Sequence, residues 1–170
     1  MATALFISRN DILKTTPLQG SIDADRLLPF VKAAQEKQMV NLLGTVLYNK
    51  LQDDIIAQTP FEGKYLELMN DHIKPTLIWY AVAEYLPFSA VQFRAEGAVK
   101  HETETAKPVS KNEVDYLIGK TMQSADYYAT RLQDFLIAYS NDIPEYLQSV
   151  GNTTQQYPDM GNVYFSGLQL

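Results

Sequence analysis

The sequence predicts a mainly α fold: an antiparallel helical bundle with one inserted β-hairpin and an extended C-terminal arm. Three observations carry this expectation. Apolar residues recur at helical spacing along much of the chain, most regularly at Ile118, Met122, Ala125, Ala129, Leu132, Leu136 and Tyr139, where steps of four and three alternate. VQFRAEGAVKH, 91–101, alternates with period two, as a half-buried strand pair does. The last twenty residues, GNTTQQYPDMGNVYFSGLQL, follow neither period and hold one charged side chain, Asp159. The expected division is a helical domain over 1–151, with the hairpin at about 90–103, and an arm over 152–170.

Each element has its own signals. Ser8 followed by Asp11 and Ile12-Leu13 reads as a capped short helix, ended by Pro17 and Gly20. Asp23 caps a longer helix, with Pro29 either in its first turns or at a second start. Phe30, Val31, Ala34, Val40 and Leu43 then form a face opposite Lys32, Glu36 and Lys37. In MVNLLGTVLYNKL, 39–51, Gly44 interrupts the series Val40, Leu43, Leu47 and Leu51. Glycine is the residue expected just past a helix end, because it takes the left-handed conformation without a Cβ penalty. Thr45 is an acceptable N-cap for a second helix beginning there. The spacing therefore predicts two helices, 24–43 and 45–57, meeting at a corner, with one continuous helix as the alternative.

Thr59-Pro60-Phe61-Glu62 is a further start signal, and Phe61, Tyr65, Leu68 and His72 share a stripe. Pro75 kinks or breaks that helix before Leu77, Ile78, Ala81, Val82 and Tyr85 resume the apolar face up to Pro87. In the hairpin, a two-residue Glu96-Gly97 turn pairs Phe93 with Lys100. A three-residue loop 95–97, with Gly97 left-handed, pairs Phe93 with Val99 and Val91 with His101, which is the better apolar match. HETETAKP, 101–108, is a polar exit. Ser110 and Glu113 form a capping box for the longest helix, over 110–140. Its stripe reads as intramolecular core, with two alanines where another helix approaches closely; an oligomer seam is the alternative. Asn141 or Asp142 caps a short final helix through Tyr146 and Leu147, stopped by Gly151.

Composition narrows the function classes. A chain of 170 residues buries about 70% of its extended surface around one core. With 46% hydrophobic and 20% charged residues it is not of disordered composition. It has no cysteine, so neither a disulfide nor a thiolate metal site is expected. MATALFISRND lacks a basic leader region, and no stretch approaches the ~18 apolar residues of a membrane span. A net charge of −6 without a basic cluster argues against phosphate-driven nucleic-acid binding.

Candidate chemistry is sparse. Asp53 and Asp54 are adjacent, so on a helix they diverge by about 100° and cannot close on one metal ion. Glu67 and Asp71 share a face near His72, but the paired Glu-x-x-His spacing of di-metal bundles is missing. His72 reads as a hydrogen-bonded boundary histidine and His101 as a surface one. No Gly-x-Ser-x-Gly and no glycine-rich phosphate loop occurs. The expectation is a protein without catalytic, cofactor-binding or metal-binding residues, and not an enzyme. The tail is different: Tyr157, Val163, Tyr164, Phe165 and Leu168, nearly uncharged and without a core of their own, are the candidate protein interface.

IDADRLLPFVKAAQEKQMVNLLGTVLYNKL, 22–51, resembles the N-terminal helical segment of head–tail connector proteins (neck ring or adaptor) of tailed bacteriophages, particularly those of crAss-like phages and related Bacteroidetes prophages. The residues that carry it are Leu28-Pro29-Phe30, Ala34-Gln35, Leu42-Leu43-Gly44, Leu47-Tyr48 and Leu51. A Pro-interrupted helix, a hairpin near Gly97 and a long C-terminal helix come next in similar order. The resemblance implies a virion structural protein, assembled in the host cytoplasm. Such proteins form a homo-oligomeric ring, commonly of twelve copies, that docks under the portal protein and carries other neck or tail proteins. DNA passes nearby without specific binding, which suits an acidic wall. No membrane contact and no cofactor are implied, and no site residues transfer. The alternative is a cytosolic helical protein-binding or regulatory module that uses its long helix as the partner-facing element.

Overall fold

Ser8 and Asp11 open the first helix reciprocally: the Ser8 N–H donates to Asp11 Oδ2 at 2.8 Å and the Asp11 N–H donates to Ser8 Oγ at 3.3 Å. This helix, α1, runs Arg9–Thr15 and buries Ile12 completely. The computed structural model describes residues 4–17, 24–89, 91–94, 97–100, 110–148 and 157–159, and the chain is mainly α. After α1 come α2 (Ala24–Ala34), a π turn (Gln35–Met39), α3 (Val40–Ile56), α4 (Gly63–Glu67), a second π turn (Leu68–Ile73), α5 (Lys74–Ser89), α6 (Lys111–Ala138) and a 3₁₀ turn (Pro144–Tyr146). Among the described residues no helix is long and apolar enough to cross a membrane.

Gly44 divides α3. Its φ of 73° and ψ of 159° are non-helical, so two helical pieces meet there at a kink, as the sequence predicts. The conformation differs from the expected one, however. With ψ near 160° it is not left-handed helical but lies in a region that almost only glycine occupies. Pro29 lies inside α2, exposed, and does not start a second helix.

The C-terminal end of α3 is closed by a residue no turn rule marks. The Gln58 N–H bonds the Ile55 carbonyl and the Thr59 N–H bonds the Asp54 carbonyl, a Schellman closure with Gln58 at φ 56°. The helix predicted from Pro60 therefore begins later. Thr59 is already committed to the preceding helix end, Glu62 is extended, and α4 begins only at Gly63, whose φ is 54°.

Proline at 75 neither breaks nor ends its helix. It lacks an N–H and its ring would clash with the carbonyl four residues back. The π turn Leu68–Ile73 immediately before it opens the ladder, and the Lys74 N–H reaches back five residues to the Met69 carbonyl. The chain then continues as α5, whose Thr76, Leu77, Ile78, Tyr80, Ala81, Val82 and Ala83 are all buried. A helix apolar on all sides belongs at the centre. α5 packs against α6, α2 and α1, and Leu27, Val31, Leu43, Leu47, Leu51, Leu132, Leu136 and Tyr146 complete the core around it.

Between α5 and α6, Val91–Arg94 (β1) and Gly97–Lys100 (β2) pair antiparallel, with Val91 opposite Lys100 and Phe93 opposite Ala98. The predicted register, Phe93 with Val99 and Val91 with His101, is corrected. Arg94 lies opposite Gly97, so the strands are shifted by one residue from the predicted register. His101 and the polar exit lie outside the described residues.

α6 begins at the expected Ser110–Glu113 capping box. On its stripe Ala125, Ala129, Leu132 and Leu136 are buried within the subunit, while Ile118, Met122 and Tyr139 are half-buried. The final helix is shorter than predicted. Pro144 starts a single 3₁₀ turn after Ile143, whose φ of −126° and ψ of 71° keep it out of the helical region that a following proline disfavours, and neither Asn141 nor Asp142 caps it. Tyr65 ties α4 to this turn by donating its hydroxyl to Glu145 at 2.5 Å. Lys64 sits 3.6 Å over the Tyr139 ring at the end of α6.

Candidate interaction site

The most constructed polar site among the described residues lies where the Gly44 kink brings α3 back past the end of α2. Gln35, fully buried, comes from the first π turn; Tyr48 and Gln52, one helical turn apart, come from α3. Between them runs the segment 4–7, which bends at Phe6 and Ile7. Gln52 accepts the Ala4 N–H through Oε1 at 2.7 Å and donates Nε2–H to the Ala4 carbonyl at 2.7 Å. Gln35 accepts the Phe6 N–H at 2.8 Å and donates to the same Ala4 carbonyl at 2.8 Å. Both amides also donate to the Tyr48 hydroxyl at 3.3 Å. Phe6 and Ile7 are buried, and the Phe6 ring lies 5.4 Å from that of Tyr48. Burial pushes the Tyr48 hydroxyl above its usual pKa, which keeps it neutral in this cluster. These residues are binding chemistry, not catalytic chemistry: two amides, each a donor and an acceptor, matched to a peptide backbone.

Sequence reasoning did not single out this cluster as a site. The only signal was polarity out of place, since Gln35 and Gln52 each follow a fully buried apolar residue, Ala34 and Leu51.

Of the residues predicted as a protein interface, Tyr157 is described and is 61% exposed; Val163, Tyr164, Phe165 and Leu168 lie outside the described residues. Two residues from Tyr157 the chain is pinned to its own subunit. The Asp159 N–H donates to the Asn41 carbonyl, and Gln133 Nε2 donates to the Asp159 carbonyl, both at 2.6 Å. The segment thus bridges α3 and α6 of the same chain, near the buried Tyr146 hydroxyl. Burial, and secondarily the Asp159 charge, raise the pKa of that hydroxyl.

The acidic pairs are not assembled into a site. Asp54 pairs with Lys50 at 2.7 Å and Glu67 with Lys64 at 2.8 Å, while Asp53 and Asp71 are exposed. Among the described residues no group of three or more His, Asp or Glu side chains could hold a metal ion. A second apolar surface lies on the outer face of α6, where Tyr116, Leu117 and Tyr127 are exposed, with Lys120 and Arg131 over the two tyrosine rings.

His72 departs from expectation. Its ring stacks on Phe135 at 4.2 Å, and Nδ1 is buried without a hydrogen-bond partner. Burial first, then Arg131, hold its pKa below the usual histidine value, outweighing Asp71 and Glu67. A lowered folded-state pKa means the neutral form is favoured on folding. Its full contribution is present above the unfolded value and is lost as pH falls through it toward the folded value. His72→Phe keeps a ring on Phe135 and removes the orphan nitrogen. It should stabilise the chain by about 1 kcal/mol at neutral pH, and by more in mild acid, where only the parent must charge a buried ring. Urea titrations at neutral and mildly acidic pH check this; a difference that does not grow on acidification would exclude the mechanism.

Comparison with known proteins gives one match. The model of a family of unknown function, DUF6712, matches residues 39–156, from the last residue of the first π turn across the Gly44 kink, α5 and α6. No curated protein matches the chain, and no solved structure does. Because that match spans well over half of the sequence, the chain belongs to the DUF6712 family of unknown function.

Proposed function

We propose that the chain is a structural subunit of the neck of a tailed bacteriophage, one copy in a homo-oligomeric ring that joins the portal to the tail and lets DNA pass. The observation that carries the reading is the resemblance over 22–51. Its residues are architectural: Ala34, Gln35, Leu43, Leu47 and Leu51 are fully buried, and Gly44 makes the kink. Resemblance in packing residues, with no reactive cluster beside them, suits a virion building block better than a small enzyme. In this reading the helices form the bundle of the ring wall, and the β1–β2 pair projects between α5 and α6. The C-terminal arm, rooted on its own subunit at Asp159, reaches a neighbouring copy, with Val163, Tyr164, Phe165 and Leu168 as anchors. A net charge of −6 favours a channel along which phosphates slide without sticking.

The exposed α6 face with Tyr116, Leu117 and Tyr127 also suits the second reading, a cytosolic helical module that binds a soluble partner. Mass spectrometry of purified virions separates the two. The neck subunit should be present at low stoichiometry relative to the capsid protein, at a copy number matching the portal. Complete tailed particles without it would remove the neck reading.

A further inference from the structure

Residues 4–7 are held by side chains alone: among the described residues no backbone–backbone hydrogen bond ties them to another element. Their main chain is read instead by two glutamine amides, at Ala4 by Gln52 and at Ala4 and Phe6 by Gln35. Hydrogen bonds to the main chain give a peptide site its affinity, and pockets for side chains give it selectivity. Here the groups that hold the main chain are side-chain amides of the helical elements. The grip on Ala4 and Phe6 is backbone-directed, and selectivity comes from the burial of Phe6 and Ile7, at 4% and 3% exposure, against Tyr48 and the core. Such a site cannot distinguish the chain's own segment from the same residues of another copy. Only tether length and local concentration decide which one it holds.

We propose that the Gln35–Tyr48–Gln52 cleft is a peptide-binding site for a short small–apolar–aromatic–β-branched segment, and that its exchange ligand is residues 4–7 of a second copy of this chain. Because Ser8 caps α1 immediately after the segment and Ile12 is fully buried, α1 moves with the exchanged arm, and each hydrogen bond broken in one chain is remade in the other. The proposal does not rest on the neck reading, because an exchanged dimer satisfies it and leaves no ring.

Complementation between two full-length variants tests it. Phe6→Ala weakens the arm and leaves the cleft whole. Gln35→Leu combined with Gln52→Leu disables the cleft and leaves the arm whole. Mixed in equal amounts, they should form a one-to-one complex by native mass spectrometry, and neither alone should do so. Adding Phe6→Ala to the cleft-disabled chain should abolish the complex. No complex between two chains that are folded by circular dichroism overturns the proposal. Should the cleft-disabled chain not fold, a labelled peptide of residues 4–8 titrated into the Phe6→Ala chain decides instead. It should bind saturably, and about a hundredfold more tightly than the same peptide with alanine for phenylalanine. No saturable binding up to about 1 mM overturns the proposal. A complex formed by a chain that purified virions lack keeps the arm exchange and removes only the neck reading.

Discussion

Leu132→Ala and Leu136→Ala should each lower the stability of the isolated chain by about 2–5 kcal/mol, the cost of emptying a fully buried leucine site that cannot collapse. Both side chains have no exposed surface. They lie on α6 two turns beyond Ala125 and Ala129 respectively, whose small side chains let α6 approach the central helix, so the neighbours have little room to fill a void. Denaturant unfolding should show the midpoint falling with the slope unchanged, because the surface exposed on unfolding hardly alters. Tyr127→Ala, on the same helix at 60% exposure, is the internal control and should stay within about 0.5 kcal/mol of the parent. If both leucine variants kept the parental midpoint and failed only in assembly, the stripe would be a seam between copies and not this subunit's core.

That stripe was readable because α6 is regular. Its steps of four and three continue without interruption, and a single helical period locates Ala125, Ala129, Leu132 and Leu136, missing only Phe135 between Ala125 and Leu136. The same arithmetic says less about the stretch 61–73. Counting from Phe61, Tyr65 and Leu68 at 3.6 residues per turn puts His72 at the boundary, where it is half-buried like Phe61 and Tyr65, although its Nδ1 lacks the expected hydrogen bond. The π turn over Leu68–Ile73 adds a residue, so the fully buried position after Leu68 is Ile73, a step of five. The first π turn does likewise, stepping from Ala34 to Met39. A step of five between apolar residues of no exposed surface is present in both stretches, although Gln35 and Met69 are buried between them, and it carries meaning only once a π turn is admitted alongside the α-helix. The start of α4 was missed for another reason. Thr59 and Pro60 are sound start signals in isolation, and only the Schellman closure on Asp54 and Ile55 shows that Thr59 is already used.

The binding cleft was less legible than the fold because its parts lie on three elements. Tyr48 and Gln52 are one turn apart and could be paired from sequence. Nothing local, however, relates them to Gln35 or to Ala4 and Phe6, 48 and 29 residues away along the respective hydrogen bonds. Their meeting depends on a backbone angle at Gly44, for which side-chain periodicity has no variable. The interface expected in the tail rested on composition, which can mark residues that need a partner but not say whose surface receives them. For Asp159 it is the chain's own Asn41 and Gln133.

Gly44→Ala should destabilise the chain by about 1–3 kcal/mol, the cost of forcing a residue with a Cβ into φ 73°, ψ 159°. The sign is diagnostic. Were α3 one continuous helix, alanine would be the better residue by about 1 kcal/mol and the variant would gain stability. Gly44→Asn separates the remaining possibilities. Asparagine tolerates the left-handed helical conformation of an ordinary helix end, so it would be nearly neutral there. The extended ψ at Gly44 gives it no such shelter, and it should lose about as much as alanine. The kink also has a consequence that reaches the cleft. Gln35 lies before Gly44 and Gln52 after it, and both hold the Ala4 carbonyl, so that carbonyl fixes their separation. Straightening α3 to relieve the strained backbone would carry one amide away from it. Hydrogen exchange should therefore show the Ala4 and Phe6 amides losing protection in Gly44→Ala beyond what the lowered global stability accounts for, while amides in the middle of α6 follow the global change alone. Equal loss at both places would mean that the kink supports the core but does not set the geometry of the cleft.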